Sequence, residues 1–406
     1  MLPAEARANL SPRRVLIRTY PPNSNPNYGG ILQAWALRET IESLGHEADV
    51  DSTRTDRLPT FRRRTTTLIK RAMSCVPAKF VPVRLWERIY AHRIDDGLLR
   101  FARSHLSLWP LYKSSGEARR ATERYSAFVV GSDQVWRPAN VDVASFMLDF
   151  VPERFEGPRI AYAASFGTDD PGFTPELIKR TTPLAKRFTA LSVRESSGVE
   201  LSRELWDVEA VQMPDPTLLV GAHQYLHLAA TAANGSAEHS IVAYILDSSA
   251  EIARALDRIS TDLATPVRHI HQPVPPEGGR DLILDDFVRP TIPEWLNLLS
   301  TAKFVVTDSF HGIVFSVIFQ RPFLAIANHA RGLTRMQSFL RSVGLEDRLT
   351  EGRSPDLTTT LLRPIDWEPV SAAIDTARVR GTQWLDASLR WGKTESPGDE
   401  SGIEAA

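Results

Sequence analysis

The chain has 406 residues, of which 42% are apolar and 24% are charged, and its formal net charge is −1. This composition is typical of a soluble globular protein and excludes disordered and fibrous chains. The longest apolar stretch, residues 313–327, is shorter than the roughly 20 residues that a membrane-spanning helix needs. Residues 1–12 lack the apolar core of a secretory signal, so we expect a cytoplasmic protein. The lone Cys75 excludes an internal disulfide and a thiolate metal site.

The near-neutral total charge conceals a basic segment. Residues 54–103 contain 13 Lys or Arg against 4 Asp or Glu, within a proline-punctuated stretch at 54–125 that is typical of an insertion between core strands. The segment contains no recognised nucleic-acid-binding module, so we expect no nucleic-acid partner. Arg62, Arg63 and Arg64 favour a peripheral contact with the anionic inner face of a membrane. A solvated surface is the alternative.

The first element in chain order is a β-rich run at 14–19, which is followed by a turn cluster, a helical pattern and a second extended run. This order is typical of a βαβ unit. Asn27, Tyr28 and Gly29 lie between the first strand and its helix, where the backbone can approach an anionic ligand. A tight βα turn is the alternative, because neither a dinucleotide fingerprint nor a P-loop is present.

Three further apolar runs lie at 126–130, 160–167 and 188–195 and are typical of strands that helices cover on both faces. Each leads into small or polar residues, which parallel sheets present to ligands at the carboxyl ends of their strands. The candidates for a ligand site in these loops are Ser132, Asp133, Gln134, Ser165 and Arg194. A helix cap at Ser132 or Asp133 and a structural ion pair at Arg194 are the alternatives.

A polar stretch at 229–239 precedes a second series of strands and helices. Its predicted strands lie at 240–247, 267–270, 304–308 and 323–326. The two series predict two doubly wound parallel sheets with a ligand site in the cleft between them. Between the series, Asp215 lies in a Pro-Asp-Pro turn that is typical of a rigid linker.

The motif at 307–312 carries the strongest signal for chemistry. Asp308, Ser309 and His311 follow an apolar strand, and Gly312 opens an apolar helix, so we expect His311 at a helix N-terminus in the cleft. The helix dipole there favours a neutral imidazole that acts as a base. A structural histidine is the alternative, and a metal role is weak because no second ligand recurs at a suitable spacing.

Together these motifs resemble the polysaccharide pyruvyltransferase family. The resemblance spans residues 14–349 and rests on Asn27-Tyr28-Gly29, Gly131-Ser132-Asp133-Gln134-Val135-Trp136, Tyr162-Ala163-Ala164-Ser165-Phe166-Gly167, Ser192-Val193-Arg194-Glu195, Asp215-Pro216-Thr217 and Asp308-Ser309-Phe310-His311-Gly312. It implies a GT-B-like fold with two Rossmann-like domains facing a cleft and a C-terminal helix, at 364–392, that crosses back to the first domain. The implied reaction moves the enolpyruvyl unit of phosphoenolpyruvate onto a sugar or lipid-linked glycan, where it forms a pyruvate ketal.

Under this resemblance His311 carries the acid/base work, with Asp133 or Asp308 as secondary candidates, and Arg194 holds the donor anion. Ketal-forming members have an arginine two residues before the histidine, where this chain has Ser309. Arg331, Arg335 or Lys303 are the candidates to replace that cation. The reaction requires no metal or cofactor besides the donor substrate.

The expected domains are 13–225 and 240–363, flanked by disordered ends at 1–12 and 393–406. Two other functions are compatible with the same architecture. The first is a nucleotide-sugar glycosyltransferase of the GT-B type, and the second is a glycan-binding relative without activity. The acceptor sugar and the oligomeric state do not follow from the sequence.

Overall fold

The computed structural model describes residues 12–20, 22, 26–53, 90, 93–111, 117–232, 237–270, 287–328, 332–351 and 363–390. Within these residues the chain forms two α/β lobes, each built on a parallel sheet. We call residues 14–212 the first lobe, residues 213–221 the crossover and residues 241–350 the second lobe. The predicted pair of doubly wound parallel sheets is thereby confirmed.

The first sheet has seven parallel strands within the described part of the chain, in the spatial order β3-β2-β1-β4-β5-β6-β7. The strands are β1 (Arg14–Arg18), β2 (Glu47–Asp51), β3 (Leu108–Trp109), β4 (Ala127–Val130), β5 (Arg159–Ala164), β6 (Ala190–Val193) and β7 (Val211–Gln212).

The second sheet has five parallel strands among the described residues, in the order β12-β11-β10-β8-β9. The strands are β8 (Ile241–Tyr244), β9 (Val267–His269), β10 (Phe304–Thr307), β11 (Phe323–Ile326) and β12 (Leu349–Thr350). Counted within this lobe, the order is 2-1-3-4-5, as in flavodoxin-like sheets.

Helices connect the strands of both sheets. The described α-helices are α1 (Tyr28–Ser43), α2 (Asp96–His105), α3 (Glu117–Arg124), α4 (Pro175–Ala185), α5 (Ser197–Trp206), α6 (Ala222–Ala229), α7 (Ala250–Asp262), α8 (Ile292–Thr301), α9 (Phe310–Ile318), α10 (Leu333–Ser342) and α11 (Trp367–Arg390). Short 3-10 helices occupy Ser145–Met147, Pro216–Leu218 and Glu346–Arg348.

Both sheets are buried on both faces, which explains why their strands are continuous apolar runs rather than alternating patterns. In β1, Val15 and Ile17 face one hydrophobic cluster while Leu16 faces the other. In β10, Val305 and Val306 likewise belong to different clusters. Adjacent residues of one strand therefore enter separate cores.

In each sheet there is one point at which the chain stops adding strands on one side and begins adding them on the other. This switch point lies between β1 and β4 in the first sheet and between β8 and β10 in the second. In open α/β sheets ligands bind outside the carboxyl ends of the strands at such a point. The loops after β1, β4, β8 and β10 are therefore positioned to form a site.

An aromatic core joins the lobes on one side. Tyr28 of α1 stacks on Trp295 of α8, with ring centroids 4.9 Å apart and an interplanar angle of 10°, and its hydroxyl donates to the Pro290 carbonyl at 2.8 Å. Tyr225 of α6, the helix after the crossover, contacts Trp35 of α1 at 5.4 Å and meets Phe315 of α9 edge to face at 4.9 Å. These contacts bury apolar surface from both lobes and set their relative orientation.

The C-terminal helix α11 crosses back to the first lobe. Gly381 lies against the Tyr162 hydroxyl of β5, where a Cβ atom would overlap it, and Trp384 packs beside the same ring at 5.9 Å. Arg378 donates to the Leu218 carbonyl near the crossover at 3.1 Å. The helix therefore packs against the first lobe and the crossover together.

The C-terminal part of the predicted insertion at 54–125 contains a strand of the first sheet. Residues Leu108–Trp109 form β3, which pairs with β2 and adds a strand to the edge of the first sheet. A strand of two residues has no readable periodicity, so the sequence pattern could not reveal it. The described residues exclude 54–89, the predicted disordered end at 393–406, and all but residue 12 of the predicted disordered start at 1–12.

Candidate active site

His311 occupies the first turn of α9, immediately after β10. Ser309 caps the helix by accepting a hydrogen bond from the Gly312 N–H at 3.4 Å. Gly312 lies so close to Thr307 that a Cβ atom would overlap the Thr307 hydroxyl, so the chain turns from strand to helix within a few residues. This turn places the imidazole at the lobe interface with its side chain 10% exposed.

The imidazole of His311 packs against Gly29 of the first lobe. A Cβ atom at Gly29 would overlap the ring, with Nδ1 the nearest atom, so only glycine permits this approach. Asn27 caps α1 by accepting from the Gly30 N–H at 2.6 Å. The N-termini of α1 and α9 thus converge on one ring, and helix N-termini favour negative charge.

Gly29→Ala is expected to lower turnover because the added methyl group displaces the imidazole, and to cost about 1–3 kcal/mol of stability through overpacking. Gly45→Ala is the matched control: its φ of +89° penalises alanine by about 1 kcal/mol, but no atom lies within 4 Å of the new methyl. Thermal unfolding and turnover should be measured for both. Equal turnover in the two variants would show that the close approach has no functional importance.

Arg194 follows β6 and brings a buried cation to the same interface. Its Nη1 lies 2.7 Å from Asp215 Oδ2, its Nη2 3.8 Å from Asp133 Oδ1 and its Nε 3.9 Å from Glu195 Oε2. Burial lowers the pKa of the guanidinium, but the three carboxylates, Asp215 first, outweigh burial and raise it. Nε and Nη2 have no hydrogen-bond partner within the described residues, although each faces a carboxylate at ion-pair distance.

Asp215 of the crossover connects the two lobes at this site, which the sequence pattern did not reveal. Its Oδ2 faces both Arg194 Nη1 and His311 Nε2, the latter at 3.7 Å, while its Oδ1 accepts from the Thr217 N–H at 3.0 Å and hydroxyl at 2.8 Å. Burial raises the pKa of the carboxyl, but His311 and Arg194 outweigh burial and hold it well below its usual range. In the sequence it lies between two prolines and within one of the motifs that carry the resemblance, but neither signal assigned it to the site.

Arg335 of α10 contributes a second buried guanidinium. Its Cζ lies 5.7 Å from the centroid of the Phe310 ring, and the Arg194 Cζ lies 4.5 Å from the same centroid. Gly332, with φ of +88°, starts α10 in close contact with the Gly167 carbonyl of the first lobe. Burial and the Arg194 charge lower the pKa of Arg335 to about 10, which leaves it charged at neutral pH.

The loop after β4 forms the first-lobe wall of the site. Asp133 Oδ1 accepts from the Gln134 N–H at 2.9 Å and faces Arg194. Ser132 is fully buried. Its N–H donates to Gln33 Oε1 at 2.8 Å, and its hydroxyl donates to the Ala163 carbonyl at 2.6 Å. These hydrogen bonds fix the loop. Ser132 holds its backbone in place, and the Asp133 carboxylate faces Arg194.

Ser165 and Glu195 support the loop after β5. The Ser165 hydroxyl donates to Glu195 Oε1 at 2.9 Å, and the N–H groups of Phe166 and Gly167 donate to the same oxygen at 2.8 and 3.3 Å. The Gln134 side chain lies beside this loop and accepts from Arg137 at 2.9 Å. The side chains of Ser165 and Gln134 are therefore engaged with protein groups around the site.

Three other predicted ligand residues use their side chains structurally. Asn27 and Ser309 cap α1 and α9, and the Tyr28 side chain lies in the aromatic core between the lobes. Position 28 begins a helix, and the first turn directs its ring toward Trp295 rather than into the loop cluster. These side chains therefore hold the helix starts and the lobe interface in place.

Asp308, a predicted acid/base residue, is engaged with the loop after β8. Its carboxylate accepts from the N–H groups of Leu246 and Asp247 at 2.6 and 3.0 Å and from Asn328 Nδ2 at 3.0 Å. Burial raises the pKa of the Asp308 carboxyl, and these hydrogen bonds oppose the rise. The geometry assigns it to holding neighbouring strand ends together.

Of the three candidates to replace the missing arginine, Arg335 alone is placed at the site. Lys303 precedes β10 and donates to the Thr265 hydroxyl at 2.8 Å, at the end of the sheet opposite His311. Arg331 lies outside the described residues.

Within the described residues, no group of three His, Cys, Asp or Glu side chains could hold a metal ion. None of the helices placed by the structure has the length and hydropathy needed to cross a bilayer. Arg62, Arg63 and Arg64, which predict a membrane contact, lie outside the described residues.

Comparisons with known proteins agree with this architecture. A family model described as polysaccharide pyruvyl transferase matches residues 27–330. Among solved structures, the chain is similar to UDP-N-acetylglucosamine 2-epimerase from Rickettsia bellii, at 9% identity over 94% of this chain and 98% of that chain, with a TM-score of 0.50. This likeness shows the fold alone, which is GT-B-like.

Two more solved structures are similar at lower scores. UDP-GlcNAc 2-epimerase from Methanocaldococcus jannaschii has 12% identity over 90% of this chain and 99% of that chain, with a TM-score of 0.49. Arabidopsis thaliana UGT89C1 has 12% identity over 94% of this chain and 100% of that chain, with a TM-score of 0.47. No curated protein matches the chain.

Proposed function

Because the chain belongs to the polysaccharide pyruvyl transferase family, we propose that it transfers the enolpyruvyl unit of phosphoenolpyruvate to a sugar of a polysaccharide or glycan precursor. The product is a pyruvate ketal that joins two hydroxyl groups of the sugar. The donor is a small molecule with a phosphate and a carboxylate, and the reaction uses no metal or further cofactor.

One observation carries the proposal. Arg194 of the first lobe, Asp215 of the crossover and His311 of the second lobe converge where the N-termini of α1 and α9 meet. Guanidinium N–H groups that make no hydrogen bond among the described residues, together with two helix N-termini, suit a compact dianion. The position, between two sheet switch points, is where ligands of doubly wound folds bind.

The chemistry balances with one proton carrier. The methylene carbon of the donor gains a proton, C2 forms bonds to two sugar oxygens, and its bond to the phosphate oxygen breaks. The two hydroxyl groups release two protons, of which one ends on the methyl group and the other on the departing phosphate. Among the described residues, His311 supplies the imidazole at the site, and in this scheme it carries the protons. Arg194 holds the donor and stabilises charge on the departing phosphate.

Ser309 separates this chain from ketal-forming members, which have an arginine at that position. Its hydroxyl caps α9 and contributes no charge. Arg335, from a different helix, supplies a second guanidinium. It lies over the ring of Phe310, the residue that follows Ser309 in the chain. We propose that the donor lies between Arg194 and Arg335, one for each anionic group.

A turnover assay tests the function. The chain should be incubated with phosphoenolpyruvate and a panel of glycosides, and the expected result is phosphate release together with an acceptor mass increase of one pyruvate ketal. Calorimetry then distinguishes between the candidate donor substrates. Binding of phosphoenolpyruvate without nucleotide supports the proposal, whereas binding of uridine or guanosine diphosphate in its place supports a glycosyltransferase. Glycan binding with neither donor would identify a non-catalytic relative.

We further propose that the acceptor is a lipid-linked glycan at the inner face of a cell membrane, reached through the basic segment at 54–103. Within that segment the surplus of Lys and Arg over acidic residues suits anionic lipid headgroups.

A further inference from the structure

We propose that Asp215 is a positioning residue that keeps the proton of neutral His311 on Nε2, so that Nδ1 is the nitrogen that exchanges protons with the substrate. The catalytic meaning of this assignment rests on the proposed function. The tautomer itself is a property of the folded chain and can be measured without substrate.

The carboxylate of Asp215 is held in one orientation. Its side chain is 1% exposed, and Oδ1 is fixed by the N–H and hydroxyl of Thr217. Oδ2 is therefore directed at the interface, where it meets Arg194 Nη1 at 2.7 Å and His311 Nε2 at 3.7 Å. The imidazole thus faces a preset acceptor.

An ionised carboxylate only accepts hydrogen bonds, so a neutral imidazole is stabilised when it presents an N–H to it. The low pKa of Asp215 keeps it ionised at neutral pH. His311 Nε2 has no hydrogen-bond partner within the described residues, and 3.7 Å is longer than a hydrogen bond of about 3 Å. Hydrogen bonds at catalytic sites often shorten when substrate binds.

The face of the ring packs against the first lobe. Gly29 lies against it, in the first turn of α1 and at the switch point of the first sheet. With the proton on Nε2, Nδ1 keeps its lone pair and is the ring nitrogen that does not face Asp215. The charged groups around the ring are Asp215 on the Nε2 side, Arg194 bound to the same carboxylate, and Arg335 across Phe310.

A different role for Asp215 would make other predictions. If it served only as the ion-pair partner of Arg194, the histidine tautomer would be independent of it. Asp133 provides the matched control, because its carboxylate also faces Arg194, at 3.8 Å, but belongs to the loop after β4. Asp133→Asn therefore removes a negative charge that faces the Arg194 guanidinium, as Asp215→Asn does.

The test is nitrogen NMR of the full chain labelled with 15N-histidine, near pH 8, with His311 assigned by its absence in His311→Gln. In the wild type we expect the signature of a neutral ring protonated at Nε2. An amide can donate as well as accept, so Asp215→Asn is expected to give a mixture of tautomers, while Asp133→Asn keeps the wild-type signature.

Protonation at Nδ1 in the wild type would overturn the assignment, even if Asp215→Asn did not fold. An unchanged tautomer in folded Asp215→Asn would overturn it too. In the turnover assay Asp215→Asn is expected to lower kcat by about 10²- to 10⁴-fold, as for other carboxylates that hold a catalytic imidazole. Absence of turnover in the wild type would count against the proposed function alone, since the NMR result does not involve substrate.

Discussion

His311→Gln is expected to reduce phosphate release from phosphoenolpyruvate by about 10²- to 10⁴-fold, the usual contribution of a general acid or base. Glutamine has similar volume and can occupy the space against Gly29, but its amide does not carry protons near neutral pH. The loss should therefore appear mainly in kcat. Stopped assays of phosphate release with saturating acceptor measure it.

The control for this variant is His227→Gln, an exposed position on α6. It should leave both turnover and thermal unfolding unchanged. Calorimetry should show that His311→Gln still binds phosphoenolpyruvate, because Arg194 and both helix N-termini remain. Turnover near the wild-type rate in folded His311→Gln would contradict the assignment of His311 as proton carrier.

The strands of both sheets were predictable because burial on two faces requires continuous apolar runs. The runs at β4 and β10 give the strand within one residue and the run at β8 within three, and the polar residues after β10 correctly place His311 at a helix start. The two-residue strands β3, β7 and β12 escaped prediction. Their place in the sheet depends on pairing with a neighbour rather than on their own pattern.

The central carboxylate of the site was not predictable as such. Asp215 is 21 residues from Arg194 and 96 from His311 in sequence, and a Pro-Asp-Pro turn is typical of linkers as well as of sites. Its role emerges only when the crossover is folded between the lobes. The position of an acid relative to partners on other elements is tertiary information that a local pattern lacks.

Asp308 and Tyr28 are predicted site residues whose side chains contact other protein groups. Tyr28 begins α1 and Asp308 follows β10, both near a switch point. Asp308 completes the hydrogen bonding of the loop after β8, where Leu246 lies 62 residues away in sequence. Tyr28 fills the core between the lobes beside Trp295. Near a strand end at a switch point, some side chains hold the site together and others face the position of a ligand. The residue type alone does not distinguish the two kinds.

Arg194→Lys is expected to raise the KM for phosphoenolpyruvate by about 10- to 100-fold, the equivalent of one charge-assisted hydrogen bond. Lysine keeps the positive charge that Asp215, Asp133 and Glu195 require, but it loses the planar fork of N–H donors that binds phosphate or carboxylate in two contacts. Thermal stability should therefore change less than donor affinity. Donor titrations by calorimetry and initial rates measure the two effects.

Two variants complete this test. Arg203→Lys on α5, where the arginine is exposed and paired with Glu209, should alter neither KM nor stability. Arg194→Leu leaves three buried carboxylates without their cation and is expected to cost about 3–5 kcal/mol of stability. If Arg194→Lys bound phosphoenolpyruvate as tightly as the wild type, the guanidinium would serve only to neutralise these acids, and the donor would have to be held by Arg335 and the helix N-termini.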